Sequence, residues 1–296
     1  MRDDSDNGHL DSKSFDAIAG LAYRESGLQL VAEKSSMIQS RLRHRLKAVG
    51  LNSFESYANY VGSKDGARER VQMISALTTN VSHFFREKHH FEMMVERILR
   101  PRLQALTNGG RLRIWSAGCS NRQEALSIAI TVLEAFPESR NLDFKVLATD
   151  IDPNVITFAS KATYPERLVS SVPESSLSKY FTPVKTQEGA GFRACGTLLD
   201  RIFFSQLNLL GDWPMAGLMD AIFCRNVVIY FDQLTQENLW PRFHKQLRSD
   251  GCLFLGHSER IADPESKGFT PDGPTTYRPS GVHSGAIKRN SHVPAR

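Results

Sequence analysis

No run of apolar residues in this chain approaches the roughly 18 needed to cross a bilayer. The opening stretch "MRDDSDNGHLDSKS" is polar and acidic, where a secretory leader would be basic and then apolar. A cytoplasmic protein with no membrane insertion is expected. Cysteine is scarce and scattered: Cys119, Cys195, Cys224 and Cys252 form no CxxC pair and no Cys/His grouping at metal spacing. That argues against a disulfide framework and a zinc site, so no metal is expected. Also missing are the G-x-x-x-x-G-K-[ST] loop that cradles a triphosphate and the full G-x-G-x-x-G fingerprint that cradles a pyrophosphate.

What is present is an ordinary globular composition. The chain has 296 residues, 41% hydrophobic and 23% charged, which suits one large domain plus a smaller one. Its net charge of +5 is compatible with nucleic acid, a membrane surface or an acidic protein partner. Nucleic acid is disfavoured, because the chain has no "NPPY"-like or Pro-Cys motif and no aromatic-basic stripe suited to a flipped base.

Residues 1–12 are polar and expected to be disordered. Over 13–102 the apolar spacing is helical, as in Phe15, Ile18, Ala19 and Leu21, and again in Phe54, Tyr57, Ala58 and Val61. An N-terminal all-helical domain is expected there. Within it, "MIQSRLRHRLKAVG" puts Arg41, Arg43, Arg45 and Lys47 on one short helix ending at Gly50. This helix is read either as a solvated face or as a docking surface for an acidic helix.

From Arg111 the rhythm changes. "RLRIWSAG", "DFKVLATD", "RIFFSQLN", "DAIFCRN" and "GCLFLGH" are short β-rich runs, with helix candidates at 121–136, 153–162 and 233–248 between them. Such alternation predicts an α/β domain over 103–279 with a mostly parallel sheet. The segment 161–201 is too long for a simple connection and reads as a helix and a small β-hairpin inserted into that domain. The basic tail 280–296 is expected to be disordered.

In an open parallel sheet, ligands bind beyond the carboxyl ends of the strands, here Gly118, Asp150, Asn208 and Asn226. Asp150 closes the second strand, where an acid commonly holds a ribose diol; the alternative is a helix cap, a role that Asp152 before Pro153 already fills. A nucleoside site without a phosphate cradle fits S-adenosyl-L-methionine.

Six motifs then occur in order: "TTNVSHFFRE" (78–87), "IWSAGCS" (114–120), "ATDID" (148–152), "LNLL" (207–210), "IFCRNVVIYFD" (222–232) and "GHSE" (256–259). Together they resemble the CheR family of chemotaxis receptor methyltransferases, over nearly the whole chain from Phe15 to Tyr277. The resemblance implies a Rossmann-like S-adenosylmethionine-dependent methyltransferase sheet with the helical domain and the small inserted β-subdomain. It implies methyl transfer to glutamate side-chain carboxylates on the cytoplasmic helical bundle of methyl-accepting chemotaxis receptors, giving methyl esters. The cofactor contacts it implies fall on Asn80, Ser82, Arg86, Glu124, Asp150, Asn208, Leu209, Asn226 and Val227, beside Gly118 in its loop. Arg86 and Tyr230 are the residues it places nearest the transferred methyl. It casts Arg41, Arg43, Arg45 and Lys47 as receptor-binding. A C-terminal tethering peptide on the hairpin near Gly189 to Arg193 is left open, and a monomer is expected.

One stretch departs from the family pattern. Relatives usually read "STGEEPYS" after the glycine turn, and this chain reads "SNRQEALS", with Arg122 in place of glycine and Gln123 in place of an acid. If position 122 needs a left-handed backbone, a non-glycine residue there costs roughly 1 to 2 kcal/mol. A guanidinium beside the sulfonium would add repulsion. The alternative to an active enzyme is a degenerate receptor-binding module with the same fold.

Overall fold

The computed structural model describes residues 9–78, 82–137, 142–154 and 162–281. The chain opens with four helices: α1 (Ser12–Ser26), α2 (Ser35–Ala48), α3 (Phe54–Gly62) and α4 (Ala67–Leu77). Asp11 caps α1 by accepting the Ser14 N–H at 3.0 Å, and Ser53 caps α3 through the Ser56 N–H. Their apolar stripes meet in one small core that includes Ile18, Leu42, Tyr57, Val61 and Met73.

A buried carboxylate sits inside that core. Glu69 is 5% exposed; it accepts the Tyr57 hydroxyl at 2.8 Å and the Arg45 Nε–H at 2.9 Å. Burial, and then the carboxylate beside it, hold the Tyr57 hydroxyl protonated far above its usual range. Arg41 is likewise engaged, donating to the Leu77 and Thr78 carbonyls at 2.7 and 3.2 Å. The expectation of a four-residue basic face is therefore corrected. Positions 41 and 45 are four apart and lie on the stripe turned toward α4, whereas Arg43 and Lys47 share the exposed stripe.

The rest of the chain begins with α5 (His89–Met94) and α6 (Leu103–Thr107), then β1 (Arg111–Ala117), α7 (Gln123–Ala135) and β2 (Asp143–Asp150). Between β2 and the remaining core strands lie β3 (Thr163–Pro165), α8 (Glu166–Val169), α9 (Glu174–Tyr180), β4 (Phe181–Thr186), β5 (Gly189–Ala194) and α10 (Gly196–Leu199). The chain continues with β6 (Ile202–Gln206), β7 (Met219–Cys224), α11 (Gln233–Gln246), β8 (Leu247–Leu255), β9 (Phe269–Pro271) and β10 (Thr276–Pro279).

Seven strands make the main sheet in the order β6-β2-β1-β7-β8-β10-β9. The first five are parallel neighbours and β10 runs antiparallel to both of its own. From β1 the chain first builds outward through β2 to β6 and then returns to place β7 on the other side. This reversal opens a crevice between β1 and β7, where an α/β sheet binds its ligand. Alternate residues face opposite cores: Ile114, Val146 and Phe223 pack under α7, while Trp115, Ile222 and Leu253 pack under Trp240 and Phe243 of α11.

Two expectations shift. Phe91, Met94, Ile98, Leu99 and Leu106 join the core under α7, so the helices from residue 89 onward pack on the sheet, although the helical domain was expected to run to residue 102. The insert is more than a helix and a hairpin: β3 pairs with the β4–β5 hairpin in a separate three-stranded sheet of order β3-β5-β4, and the short helices α8, α9 and α10 lie in the same segment. Among the described residues no helix is long and apolar enough to cross a membrane.

Candidate functional site

The carboxyl ends of β1, β2 and β7 and the loop after β6 converge on a cleft of about 390 Å³. Its wall contains Ser82, Arg86, Gly118, Glu124, Asp150, Asn208, Leu209, Asn226, Val227 and Tyr230, all expected from the sequence. Asn80 lies outside the described residues. The helical domain closes one side through Ser26, Leu28 and Thr78. Bonds that fasten it there include those from the Gln29 N–H to the Tyr230 carbonyl at 2.9 Å and from Asn208 Nδ2 to the Glu25 carbonyl at 2.8 Å.

The glycine turn is built for close approach. Gly118 and Cys119 both donate to the Thr149 carbonyl, at 2.8 and 2.9 Å, which ties the end of β1 to β2. Gly118 has φ +83°, and a Cβ there would come within 2.4 Å of Val227 Cγ2, so the cleft wall tolerates no side chain at this point. Asp150 is 7% exposed; its Oδ2 accepts the Ser120 N–H at 2.8 Å and its Oδ1 the Asp152 N–H at 3.0 Å. Burial pushes its pKa up, against those two bonds. A carboxylate offers about four acceptor sites, so two remain for a ligand's diol. Asp152 accepts the Asn154 N–H at 2.8 Å, while Asp150 lies in the cleft wall.

Glu124 stands in the first turn of α7. Its Oε1 accepts the Ser116 hydroxyl at 2.7 Å and its Oε2 receives Arg225 Nη1 at 3.1 Å. Burial raises its pKa although Arg225 and Ser116 pull it down. Arg225, 6% exposed, also donates to the Arg86 carbonyl and pairs with Glu87. Burial, then the Arg86 and Arg225 charges, hold the His83 pKa below its usual value, so this cleft-lining imidazole is neutral at pH 7.

Sequence reasoning passed over several of these groups. Arg225, His83, His257 and Ser258 line the cleft, and Glu87 lies behind it. Glu259 was quoted only as part of "GHSE". It is 3% exposed and accepts four backbone N–H groups, from Gly256, Asn226, Val227 and Ile229, at 2.6 to 3.1 Å. That one carboxylate shapes the turn carrying Asn226, whose φ is +59°. Gly256 is required beside it, since a Cβ there would stand 2.6 Å from Asn226 Nδ2. The sequence offered only the acid that ends "GHSE"; its burial and its four donors come from folding.

The Arg122 expectation divides. Its backbone is left-handed, with φ 68°, as the glycine of the family pattern implies. Its side chain, however, does not line the cleft: it is 1% exposed and lies over the Phe204 ring at 4.2 Å from the centroid. The guanidinium therefore lies on β6, outside the cleft wall. Gln123 is buried beside it and also stays out of the cleft wall.

Residues 13–78 match the family model described as CheR methyltransferase, all-alpha domain, and residues 80–274 match that described as CheR methyltransferase, SAM binding domain. The chain is 42% identical over 258 residues to a probable chemotaxis protein methyltransferase of Rhizobium etli, covering 87% of this chain and 96% of that protein. It is 37% identical to chemotaxis protein methyltransferase 2 of Pseudomonas aeruginosa, over 92% of this chain and 95% of that one. To the chemotaxis protein methyltransferase of Escherichia coli it is 36% identical, over 90% and 91% respectively. With both domain models matched and the crevice beyond β1, β2 and β7 formed, the chain belongs to the CheR methyltransferase family and its cofactor is S-adenosylmethionine.

Proposed function

We propose that this chain is a cytoplasmic protein-glutamate O-methyltransferase that esterifies glutamate carboxylates on the helical bundle of methyl-accepting chemotaxis receptors. The observation that carries this reading is the cleft wall, which combines Asp150 and Glu124 with Arg86 and Tyr230. S-adenosylmethionine supplies a methyl group activated on a sulfonium. Asp150 would bind the ribose diol through its two remaining acceptor sites, and Glu124, held by Ser116 and Arg225, would receive the ammonium of the amino-acid end. Ser82, Asn208, Leu209, Asn226 and Val227 complete the wall.

The accepting carboxylate has a reference pKa of about 4.3, so it is ionised at pH 7 and needs no general base. What the protein contributes is alignment and removal of water, an effect worth up to about 7 to 11 kcal/mol in ideal geometry. We place the substrate carboxylate beside Arg86 and Tyr230. Arg86 orients it, and a loose hold serves best, because the carboxylate loses its charge as the ester forms. His83, neutral at pH 7, does not compete for it.

The receptor would dock along Arg43 and Lys47, the exposed stripe of α2, and the outer edge of β4 is open to a tethering peptide by strand addition. Radiolabelled methyl transfer to receptor cytoplasmic domains, with an Arg86→Ala control, tests the reading. Label that mild alkali releases as methanol marks an ester; alkali-stable label, or none, rejects glutamate as the acceptor.

A further inference from the structure

Glu87 stands just outside the cleft wall, and yet its carboxylate reaches the cations that line the wall. Its Oε2 lies 3.4 Å from Arg225 Nε and 3.3 Å from Arg225 Nη2. Its Oε1 accepts the His257 backbone N–H at 3.1 Å, lies 3.3 Å from the His257 ring nitrogen, and stands 3.9 Å from Arg86 Nε. Arg225 then carries the connection onward, to Glu124 through Nη1 and to the Arg86 carbonyl through Nη2. One carboxylate thus connects the first motif of the cleft with "CRN" and "GHSE", across 138 and 170 positions of sequence.

The backbone agrees. Glu87 has φ +55°, in the left-handed region that a side chain of this size seldom occupies, and Phe85 two residues earlier has φ +52°. Such strain persists where surrounding contacts over-determine it, and it gathers at working sites. Burial alone would raise the Glu87 pKa, but Arg225 and the His257 N–H outweigh it and hold the group ionised.

We propose that Glu87 is a positioning residue for methyl transfer, dividing Arg225 between two carboxylates and restraining Arg86. This rests on the methyltransferase reading of the cleft. A guanidinium shared by two anions holds each less tightly than it would hold one alone. With Glu87 present, Glu124 therefore keeps acceptor capacity for the cofactor's ammonium, and Arg86 grips the substrate carboxylate loosely. Without the Glu87 charge, Arg225 turns fully onto Glu124 and weakens cofactor binding. Arg86, released, holds the ionised substrate more tightly than the transition state, which lowers kcat and, with it, KM for the receptor.

The test is Glu87→Gln, which keeps the size and the strained backbone, removes the charge and leaves one acceptor oxygen of the two, the other becoming an NH2 donor. Three quantities are measured on the full chain: S-adenosylhomocysteine affinity by calorimetry, the steady-state constants for a receptor domain, and Tm. The expected result is a cofactor Kd raised and a kcat lowered about tenfold each, with receptor KM falling and Tm close to wild type. Glu87→Asp, which restores the charge on a shorter arm, falls between the two. Wild-type binding and turnover in Glu87→Gln overturn the proposal, as does an Asp variant no better than Gln. A lowered Tm with full activity regained on cooling assigns Glu87 to the fold and overturns it as well. If the wild-type chain binds S-adenosylhomocysteine but methylates no receptor domain, the receptor reading fails, and calorimetry on Glu87→Gln still decides the role of Glu87.

Discussion

Arg122 lays its guanidinium over the ring of Phe204, 4.2 Å from the centroid, while its own backbone holds a left-handed φ of 68°. The side chain that breaks the family's glycine pattern is thereby used to fill the space between α7 and β6. A desolvated cation–π contact of about 2 kcal/mol works against the backbone penalty of roughly 1 to 2 kcal/mol and against the cost of burying the guanidinium.

Two substitutions separate these terms. Arg122→Ala keeps the strained backbone and loses the stacking, so it is expected to lower stability by about 2 to 3 kcal/mol. Arg122→Gly loses the stacking but relieves the strain, and should be about 1 kcal/mol more stable than the alanine variant once the freer unfolded chain is counted. Both should bind S-adenosylhomocysteine within about threefold of wild type, because the side chain stays out of the cleft. Denaturant unfolding and calorimetry check this. A glycine variant that binds cofactor tenfold better would show that Arg122 does act on the site.

His90 has no exposed surface; its Nε2 lies 2.9 Å from Thr275 Oγ1, and burial, then Arg225, lower its pKa from 6.5 to about 3. The folded-state value is depressed, so the unfolded chain binds a proton that the folded chain refuses between those two values. His90 therefore contributes its full stability above pH 6.5 and loses it progressively as pH falls toward 3. Between pH 7 and pH 5 this residue alone removes about 2 kcal/mol. His90→Gln should flatten the wild-type stability profile by that amount over that window, as read by urea unfolding at the two pH values; parallel profiles would reject it.

Glu259 makes a sharper stability test, since it serves four backbone donors at once. Glu259→Ala leaves those N–H groups without their acceptor and is expected to cost about 3 to 5 kcal/mol. The Asn226–Val227 turn loses its shape with it, so cofactor affinity should fall more than tenfold even at temperatures where the variant stays folded. Equal affinity in a folded Glu259→Ala chain would confine this residue to stability.

The strands and the strand-end residues were legible because each depends on short-range pattern, whereas the crevice between β1 and β7 follows from a strand order that only folding sets. "RLRIWSAG" and "DFKVLATD" are brief apolar runs that stop at Gly118 and Asp150, and the parallel sheet follows from their alternation with helices. What escaped was long-range. Helical periodicity identifies α5 as a helix, but whether Phe91 and Met94 pack on the N-terminal bundle or on the sheet depends on partners far along the chain. Arg225 and Glu87 stood inside quoted motifs with no role assigned, and only folding brings them together across 138 positions. The basic helix sat between these cases: four-residue spacing already divides Arg41 and Arg45 from Arg43 and Lys47, but which stripe faces inward is decided by Glu69 on α4.

That division yields the last prediction. Arg45 neutralises a carboxylate that is 5% exposed, and removing it as Arg45→Ala leaves Glu69 buried without its cation, at a cost of about 3 kcal/mol. Loss of methylation in that variant would follow from loss of the domain. Arg43 and Lys47 are exposed, so reversing both to glutamate should leave Tm and cofactor affinity near wild type. If the receptor docks along this stripe, the double reversal lowers kcat/KM for the receptor about tenfold at low salt. The deficit should shrink toward nothing near 1 M salt, where the screening length falls to about 3 Å. Methylation kinetics at the two ionic strengths decide it. Equal rates at low salt place the receptor elsewhere on the molecule; a deficit that salt does not relieve means the substitutions damaged the fold.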